Sequence, residues 1–289
     1  MKSNQPDQRV LIGYLTYVNE KNYERRYENF SKSLDSLSRL DRDNCFLVNF
    51  DNNSLESVKT KLRNFNFDAY CHFSENYYDL SVLYGSYYLA KKMNMKYFVY
   101  SYDDIELIKG DFLEDSIAFM EENDKLDCIR ICNYKLNDEF YHAMKTNKKK
   151  NPDAVHHNCA YKNNLPLRWS KMGPFFVGDN VFHINDWHYT SRSCLMRVDS
   201  FEDIVKNKKS LPVLNFFEGY TYRKHFDDYF TSNGSREYLT GVLEGGAFKT
   251  LAAHTKLNSE RLNLGNDFLK KINIDVEDIE KEIDKTMEG

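Results

Sequence analysis

Three carboxylates stand where short apolar runs end, and they are the first candidates for chemistry in this sequence. Asp51 follows the run at 45–50 (CFLVNF), and Asp103 and Asp104 follow the run at 96–101 (KYFVYS). Paired carboxylates at the tip of a buried strand form an oxygen-rich site that suits Mg²⁺ or Mn²⁺. The alternative is an acidic turn that caps the next helix, which is the more common use of an isolated Asp-Asp pair.

The elements that must position these carboxylates alternate along the first half of the chain. The spacing of apolar residues predicts strands over 9–17, 45–50, 69–73, 96–101 and 127–132, separated by helices over 23–40, 54–65, 80–93 and 110–122. This alternation predicts an α/β fold with a mostly parallel central sheet and helices on both faces. Such sheets bind ligands outside the carboxyl ends of their strands, which is where the three carboxylates lie.

The pattern loosens after residue 134. It predicts a strand over 192–198, an aromatic helix over 216–230 and a late strand over 246–253. Apolar residues among many charges over 259–289 predict one or two amphipathic helices, packed on the body or on a partner. A homo-oligomer formed through this C-terminal helical tail is therefore one alternative.

We accordingly divide the chain into a domain over 1–256 and a tail over 257–289. The domain has a regular half over 9–132 and a looser half over 133–256. The division follows the change from regular alternation to a looser pattern.

Composition excludes several classes of protein. The chain has 40 Lys and Arg against 44 Asp and Glu, so it lacks the cationic excess of a duplex DNA binder, and we expect no nucleic acid partner. No window approaches the roughly 20 apolar residues that cross a bilayer, and the start lacks a signal-peptide pattern. The 6 cysteines form no CxxC pair, which favours buried, reduced thiols. These features predict a cytoplasmic protein without a transmembrane segment.

Several common motifs for nucleotide binding and hydrolysis are absent from the sequence. No GxGxxG follows the first predicted strand, and no GxxxxGK[ST], GxSxG or HExxH occurs. The phosphates of any bound nucleotide therefore need another source of positive charge. A divalent metal held by Asp103 and Asp104 is the obvious source.

Residues 77–119 resemble the central segment of GT-A glycosyltransferases, particularly those of family 2. In that family a helix with a small residue, here Gly85, precedes the strand that leads into an acidic DXD-type motif, and GDFL at 110–113 matches the start of the next helix. The resemblance covers about 9–132 well and about 180–255 loosely. It implies a GT-A fold and transfer of a sugar, with inversion, from a nucleotide-diphosphate donor to a hydroxyl of a glycan, lipid-linked saccharide or protein.

The resemblance makes 9–132 the nucleotide-binding half and 133–256 the acceptor half of the domain, and it assigns the nucleotide-binding residues one by one. Thr16 and Tyr17 would line the nucleotide pocket, and Asp51 would accept a hydrogen bond from the base. Asp103 would face the ribose or the diphosphate. Asp104 would be the ligand of Mn²⁺ or Mg²⁺, and His254 would reach the metal or the diphosphate from a late strand.

The acceptor side depends on a carboxylate that takes the proton of the acceptor hydroxyl during inverting transfer. Glu218 is the candidate base, because it follows a segment resembling the one before the family's Glu-Asp acceptor motif. Asp186 and Asp179 are the alternatives. Trp187 and His188 are assigned to acceptor binding, where an aromatic ring can stack on a sugar.

The sequence also departs from the family, and two other functions stay open. Ser101 stands at the first acidic position of the DXD-type motif, NYYD at 76–79 replaces the customary Asn-x-Gly, and Gly219 replaces the Asp of the acceptor motif. These departures leave room for a non-catalytic nucleotide-sugar-binding module of the same fold. A sugar nucleotidyltransferase is the other alternative, although the loop at 16–21 lacks the glycines that such an enzyme needs.

Overall fold

The computed structural model describes residues 10–21, 23–133, 172–185, 193–205, 239–251 and 275–288. Strands and helices alternate in the first half of the chain, as predicted. They are β1 (Val10–Thr16), α1 (Tyr23–Ser36), β2 (Cys45–Asp51), α2 (Glu56–Arg63), β3 (Ala69–His72), α3 (Tyr78–Lys92) and β4 (Tyr97–Tyr102).

Short strands are more frequent in the rest of the described chain. The elements are β5 (Ile105–Leu107), α4 (Leu113–Glu122), β6 (Leu126–Arg130), β7 (Cys132–Asn133), β8 (Met172–Val177), β9 (Asn180–Asn185), β10 (Cys194–Arg197), α5 (Val198–Val205), β11 (Leu239–Leu243), β12 (Phe248–Thr250) and α6 (Val276–Glu288).

Nine of the described strands form one sheet in the order β3-β2-β1-β4-β10-β6-β11-β9-β8. Seven of these strands run in one direction, and β9 and β10 oppose them. A second sheet has the order β5-β12-β7. The mostly parallel central sheet that the sequence predicts is therefore confirmed.

Adjacent residues of β1 show that helices cover both faces of this sheet. The Tyr14 hydroxyl donates a hydrogen bond to Ser33 Oγ of α1 at 3.1 Å. Gly13 faces the other way, and a Cβ added there would lie 2.0 Å from Ser86 Oγ of α3. Because neighbouring residues of a strand point to opposite faces, α1 and α3 sandwich β1 between them.

The C-terminal helix α6 packs on the body of the protein, against β3 and α3. Val276, Ile279 and Ile283 are buried in the main hydrophobic core. Glu282 accepts hydrogen bonds from the Ser74 backbone N–H at 2.7 Å and from the Tyr77 hydroxyl at 2.8 Å. The sequence predicts that the tail packs either on the body or on a partner, and the described helix α6 packs on the body.

Some predicted elements differ from the structure. Within the described part of the late strand predicted over 246–253, the strand covers Phe248–Thr250; it begins after residue 246 because Gly245 and Gly246 take positive φ angles of 78° and 69° in the turn before it. Strands β5, β8, β9 and β11 were not predicted. The helix predicted over 216–230 lies outside the described residues.

Two expectations from composition can be compared with the structure. Cys45, Cys71, Cys128, Cys132 and Cys194 are buried, as expected, and form no disulfide with one another, whereas Cys159 lies outside the described residues. Within the described ranges, no helix combines the length and the apolar character needed to cross a membrane.

Candidate active site

The carboxyl ends of β1, β2, β3 and β4 meet at one edge of the sheet. Thr16 pairs with Asp51, which pairs with His72, and Leu15 pairs with Tyr102 on the other side. The predicted nucleotide-binding residues therefore lie on neighbouring strand ends, where parallel sheets bind their ligands.

Asp103 is buried and joins the end of β4 to the loop after β1. Its carboxylate accepts hydrogen bonds from the Tyr17 backbone N–H at 2.9 Å and from Arg26 Nη2 of α1 at 2.5 Å. Burial raises the pKa of Asp103 above its ordinary value, and the positive charge of Arg26 offsets only part of that rise. Asp103 thus anchors the β1 loop and α1 at this edge.

The turn that carries the two carboxylates is fixed by Ser33. This buried α1 residue donates to two acceptors, the carbonyls of Tyr102 at 3.1 Å and Ile105 at 2.6 Å. Strand β5 then follows and pairs with β12, and the Leu251 N–H donates to the Asp104 carbonyl at 2.8 Å. The backbone around the acidic pair is therefore held from two sides.

Asp104 differs from its neighbour because its side chain is half-buried and has no hydrogen bond or ion pair with the residues that the structure describes. The described residues contain no cluster of three His, Cys, Asp or Glu side chains fit to hold a metal. An unpaired carboxylate nevertheless fits Mg²⁺ or Mn²⁺ bound in the usual way, through one or two carboxylates and the phosphates of a substrate. Asp104 is the residue that would hold such an ion.

Thr16 and Asp51 are both fully buried. Thr16 Oγ1 accepts a hydrogen bond from Asn49 Nδ2 at 2.9 Å. The Asp51 carboxylate accepts from the Ser54 N–H at 3.1 Å, the Tyr70 hydroxyl at 3.2 Å and His72 Nδ1 at 2.9 Å. The His72 side chain, which is 40% exposed, thus lies between Asp51 and solvent.

A network of amide side chains shapes the loop before α3. Tyr78 has a φ of 54°, in the region that favours glycine. Asn76 Oδ1 accepts from the Tyr78 N–H, and Asn52 Nδ2 donates to the Tyr78 carbonyl, both at 2.9 Å. These bonds impose the glycine-like conformation on a tyrosine.

The structure brings together Thr16, Tyr17, Asp51, Asp103 and Asp104 at one edge of the sheet. Five other predicted site residues lie outside the described residues: Glu218, Asp186, Trp187, His188 and His254.

Three further positions bear on the predictions for the site. Asp179, an alternative base, is exposed in the turn between β8 and β9. Ser101, which stands at the first acidic position of the motif, is fully buried, and its hydroxyl has no partner among the described residues. The Leu251 N–H, three residues before His254 in the sequence, donates to the Asp104 carbonyl, so the residue after β12 lies beside the acidic pair.

Arg26 and His72 are site residues that the sequence analysis missed. A signal for Arg26 was available, since it lies one helical turn before the buried Phe30 on the apolar stripe of α1. A cation on such a stripe indicates a buried partner. His72 gave no comparable signal, because a polar residue at a strand end is common.

No family model and no curated protein matches this chain. Among solved structures, it is similar to residues 1–349 of TarS from S. aureus, at 14% identity over 84% of this chain and 60% of that one, with a TM-score of 0.45. It thus spans about 60% of the length of that structure.

Two further solved structures are similar to this chain. One is the mannosyltransferase PcManGT from Pyrobaculum calidifontis, solved with GDP-Man and Mn²⁺, at 16% identity over 48% of this chain and 40% of that one, with a TM-score of 0.34. The other is mouse xyloside xylosyltransferase 1, at 13% identity over 80% of this chain and 84% of that one, with a TM-score of 0.41.

Proposed function

We propose that the chain is a metal-dependent, inverting glycosyltransferase of the GT-A type, similar to family 2. It would transfer a sugar from a nucleotide-diphosphate donor to a hydroxyl of a glycan, lipid-linked saccharide or protein. One observation carries the proposal: Asp103 ties the acidic turn to the β1 loop through the Tyr17 N–H, while the Asp104 carboxylate beside it has no partner in the described structure. A bound donor would meet both at the ligand-binding edge of the sheet.

In this proposal the donor nucleotide lies along the ends of β1, β2 and β4. Tyr17 and Asp103 would contact the ribose or the diphosphate, and Asp51 would act on the base side. Because the Asp51 carboxylate is buried, its contact with the base side would pass through His72, whose ring it holds at 2.9 Å. Thr16 would support this side from within the sheet.

Transfer would occur by direct displacement at the anomeric carbon. The acceptor oxygen forms a bond to that carbon, the bond to the diphosphate oxygen breaks, and the acceptor proton passes to a carboxylate. Glu218 is the proposed base and Asp186 the alternative, with Trp187 and His188 on the acceptor side. A divalent ion held by Asp104, and by His254 if it reaches the site, would neutralise charge on the departing diphosphate.

A thermal unfolding screen tests the donor site. The protein is heated with UDP, GDP, dTDP or CMP, each with and without Mn²⁺, and the Asp104→Asn variant is run beside it. Ligand at about a hundredfold over its Kd adds about 2.7 kcal/mol of stability, so a clear rise in Tm is expected for one nucleotide with Mn²⁺. Asp104→Asn should lose that rise, whereas Asp111→Asn, an exposed control in the same segment, should keep it.

No shift with any nucleotide would contradict the proposal, and so would an equal shift in Asp104→Asn. Release of nucleoside diphosphate from sugar nucleotides then tests turnover, with Glu218→Gln and Asp186→Asn compared to identify the base. Tight binding without any release would instead favour the non-catalytic binding module.

A further inference from the structure

We propose that Arg26 binds the diphosphate of the donor: one N–H group of its guanidinium holds Asp103, and the others bind phosphate oxygens. This inference rests on the proposed function and deepens it. It assigns a fixed positive charge of the chain itself to a site where the sequence offered only a metal.

The position of Arg26 is fixed by the packing of α1. Phe30, Ser33 and Leu34 lie on the same stripe of this helix and are buried. Ser33 holds the turn on both sides of the acidic pair, and Arg26 lies two helical turns before it, beside Asp103. The helix therefore places the guanidinium at the carboxyl edge of the sheet.

The guanidinium has binding capacity left after it has bound Asp103. Arginine has five N–H donors in a planar fork that matches the geometry of phosphate. Among the described residues, only Asp103 accepts a hydrogen bond from Arg26, at 2.5 Å from Nη2. Its side chain is 26% exposed, so part of it is accessible to a ligand.

The local charge indicates what kind of ligand these donors would bind. The charges of Asp103, Asp104 and Asp79 all act on Arg26 and raise its pKa, although its burial lowers it. The charge of Arg26 lowers the pKa of Asp103, whereas the neighbouring charge of Asp104 raises it. A diphosphate entering beside these carboxylates would be repelled without such a charge, and charge-assisted bonds from arginine to phosphate are among the strong ones.

Calorimetric titration of UDP and uridine, and of GDP and guanosine, tests the assignment in the presence of Mn²⁺. Arg26→Met should lower the affinity for the diphosphate that the parent binds by about tenfold or more, the loss expected for one charge-assisted bond. Affinity for the matching nucleoside should change less than twofold. Lys32→Met removes an exposed cation from the same helix and should change neither.

A second background separates phosphate binding from simple support of Asp103. Arg26→Met leaves a buried carboxylate without its cation, so the titrations are repeated with Asp103→Asn, where that charge is absent. The diphosphate-specific loss persists there if Arg26 binds phosphate. If that loss disappears in the Asp103→Asn background, or if diphosphate and nucleoside lose affinity equally, Arg26 has only a positioning role and the inference is overturned.

The failure of this inference can be told apart from failure of the proposed function. A parent that binds neither diphosphate, and that no nucleotide of the thermal screen stabilises, overturns both. A parent that binds one of them, and an Arg26→Met variant that binds it equally well, overturn the role of Arg26 alone.

Discussion

Burial and charge act in opposite directions on the carboxylate of Asp103. Burial raises its pKa, the charge of Arg26 lowers it by a smaller amount, and the Tyr17 N–H also lowers it. In the unfolded chain the Asp103 carboxyl has a pKa near its ordinary value. At any pH above that pKa, folding must therefore bury a charged carboxylate. The ion pair with Arg26 limits this cost.

Arg26→Met should therefore destabilise the protein in a pH-dependent way. Without the cation the folded pKa of Asp103 rises further, so the loss is small near pH 4 and grows toward pH 7, where it reaches roughly 1–3 kcal/mol. Urea unfolding at the two pH values measures the difference. Lys32→Met should show no such trend, and an equal loss at both pH values for Arg26→Met would contradict the explanation.

Tyr78 offers a test of backbone strain that does not depend on its ring. At a φ of 54° glycine is favoured over alanine, because an L side chain costs about 1–2 kcal/mol in the left-handed region. Tyr78→Gly should thus be more stable than Tyr78→Ala by about 1 kcal/mol in denaturant unfolding. Lys92, near the end of the same helix, is the control position, where the alanine variant should be more stable than the glycine variant. If glycine were the more stable replacement at both positions, or alanine at both, this would contradict strain at Tyr78.

At the scale of elements, α3 approaches β1 closely at Gly13. A Cβ there would lie 2.0 Å from Ser86 Oγ and 2.9 Å from the Phe50 ring. Gly13→Ala should therefore cost about 1–3 kcal/mol by overpacking. The double variant Gly13→Ala/Ser86→Ala should recover part of this lost stability, because it lacks the Ser86 Oγ atom that the new Cβ would meet. Urea unfolding measures the difference, and Ser86→Ala alone should cost little. Full tolerance of Gly13→Ala would contradict this packing.

The docking of α6 is tested by its buried apolar face. Ile283 is fully buried, and its Cδ1 atom would lie 3.2 Å from a Cβ placed on Gly85 of α3. Ile283→Ala should lower the unfolding free energy by about 2–5 kcal/mol, the range for a large-to-small change in a core. Met287, which is 37% exposed on the same helix, supplies the control, and Met287→Ala should have a much smaller effect.

Elements with a clear local pattern were predictable from the sequence, and elements defined by distant partners were not. Strands β1 to β4 and the helices between them follow from regular apolar spacing. Strand β5 has three residues and pairs with β12 far along the chain, so no local pattern marks it. The apolar stripe of α6 was also visible in the sequence, but the surface it covers depends on α3 and β3.

The same distinction holds for the candidate site. Asp51 and the Asp103-Asp104 pair were located because strand ends can be read from the sequence. The contact between Arg26 and Asp103 depends on the angle at which α1 crosses the sheet, which spacing does not determine. The partners of Asp51 come from β3, and their approach depends on strand register.

At the scale of the whole molecule, thiol reactivity reports on the integrity of the core. Burial raises the pKa of the Cys45 and Cys71 thiols to about 12 in each case, so almost no reactive thiolate is present at pH 8. In a Cys159→Ser variant, the remaining 5 cysteines are all buried. They should react with Ellman's reagent only after unfolding, and rapid reaction of the native protein would contradict the packing of the sheet.

The placement of β10 has a consequence for the order in which the protein can be completed during synthesis. Leu195 pairs with Val99 of β4 on one side and with Ile129 of β6 on the other. A nascent chain that ends before residue 194 contains β4 and β6 but not the strand that joins them. Each presents an open apolar edge, of the kind that pairs with other chains, until the ribosome has passed Arg197.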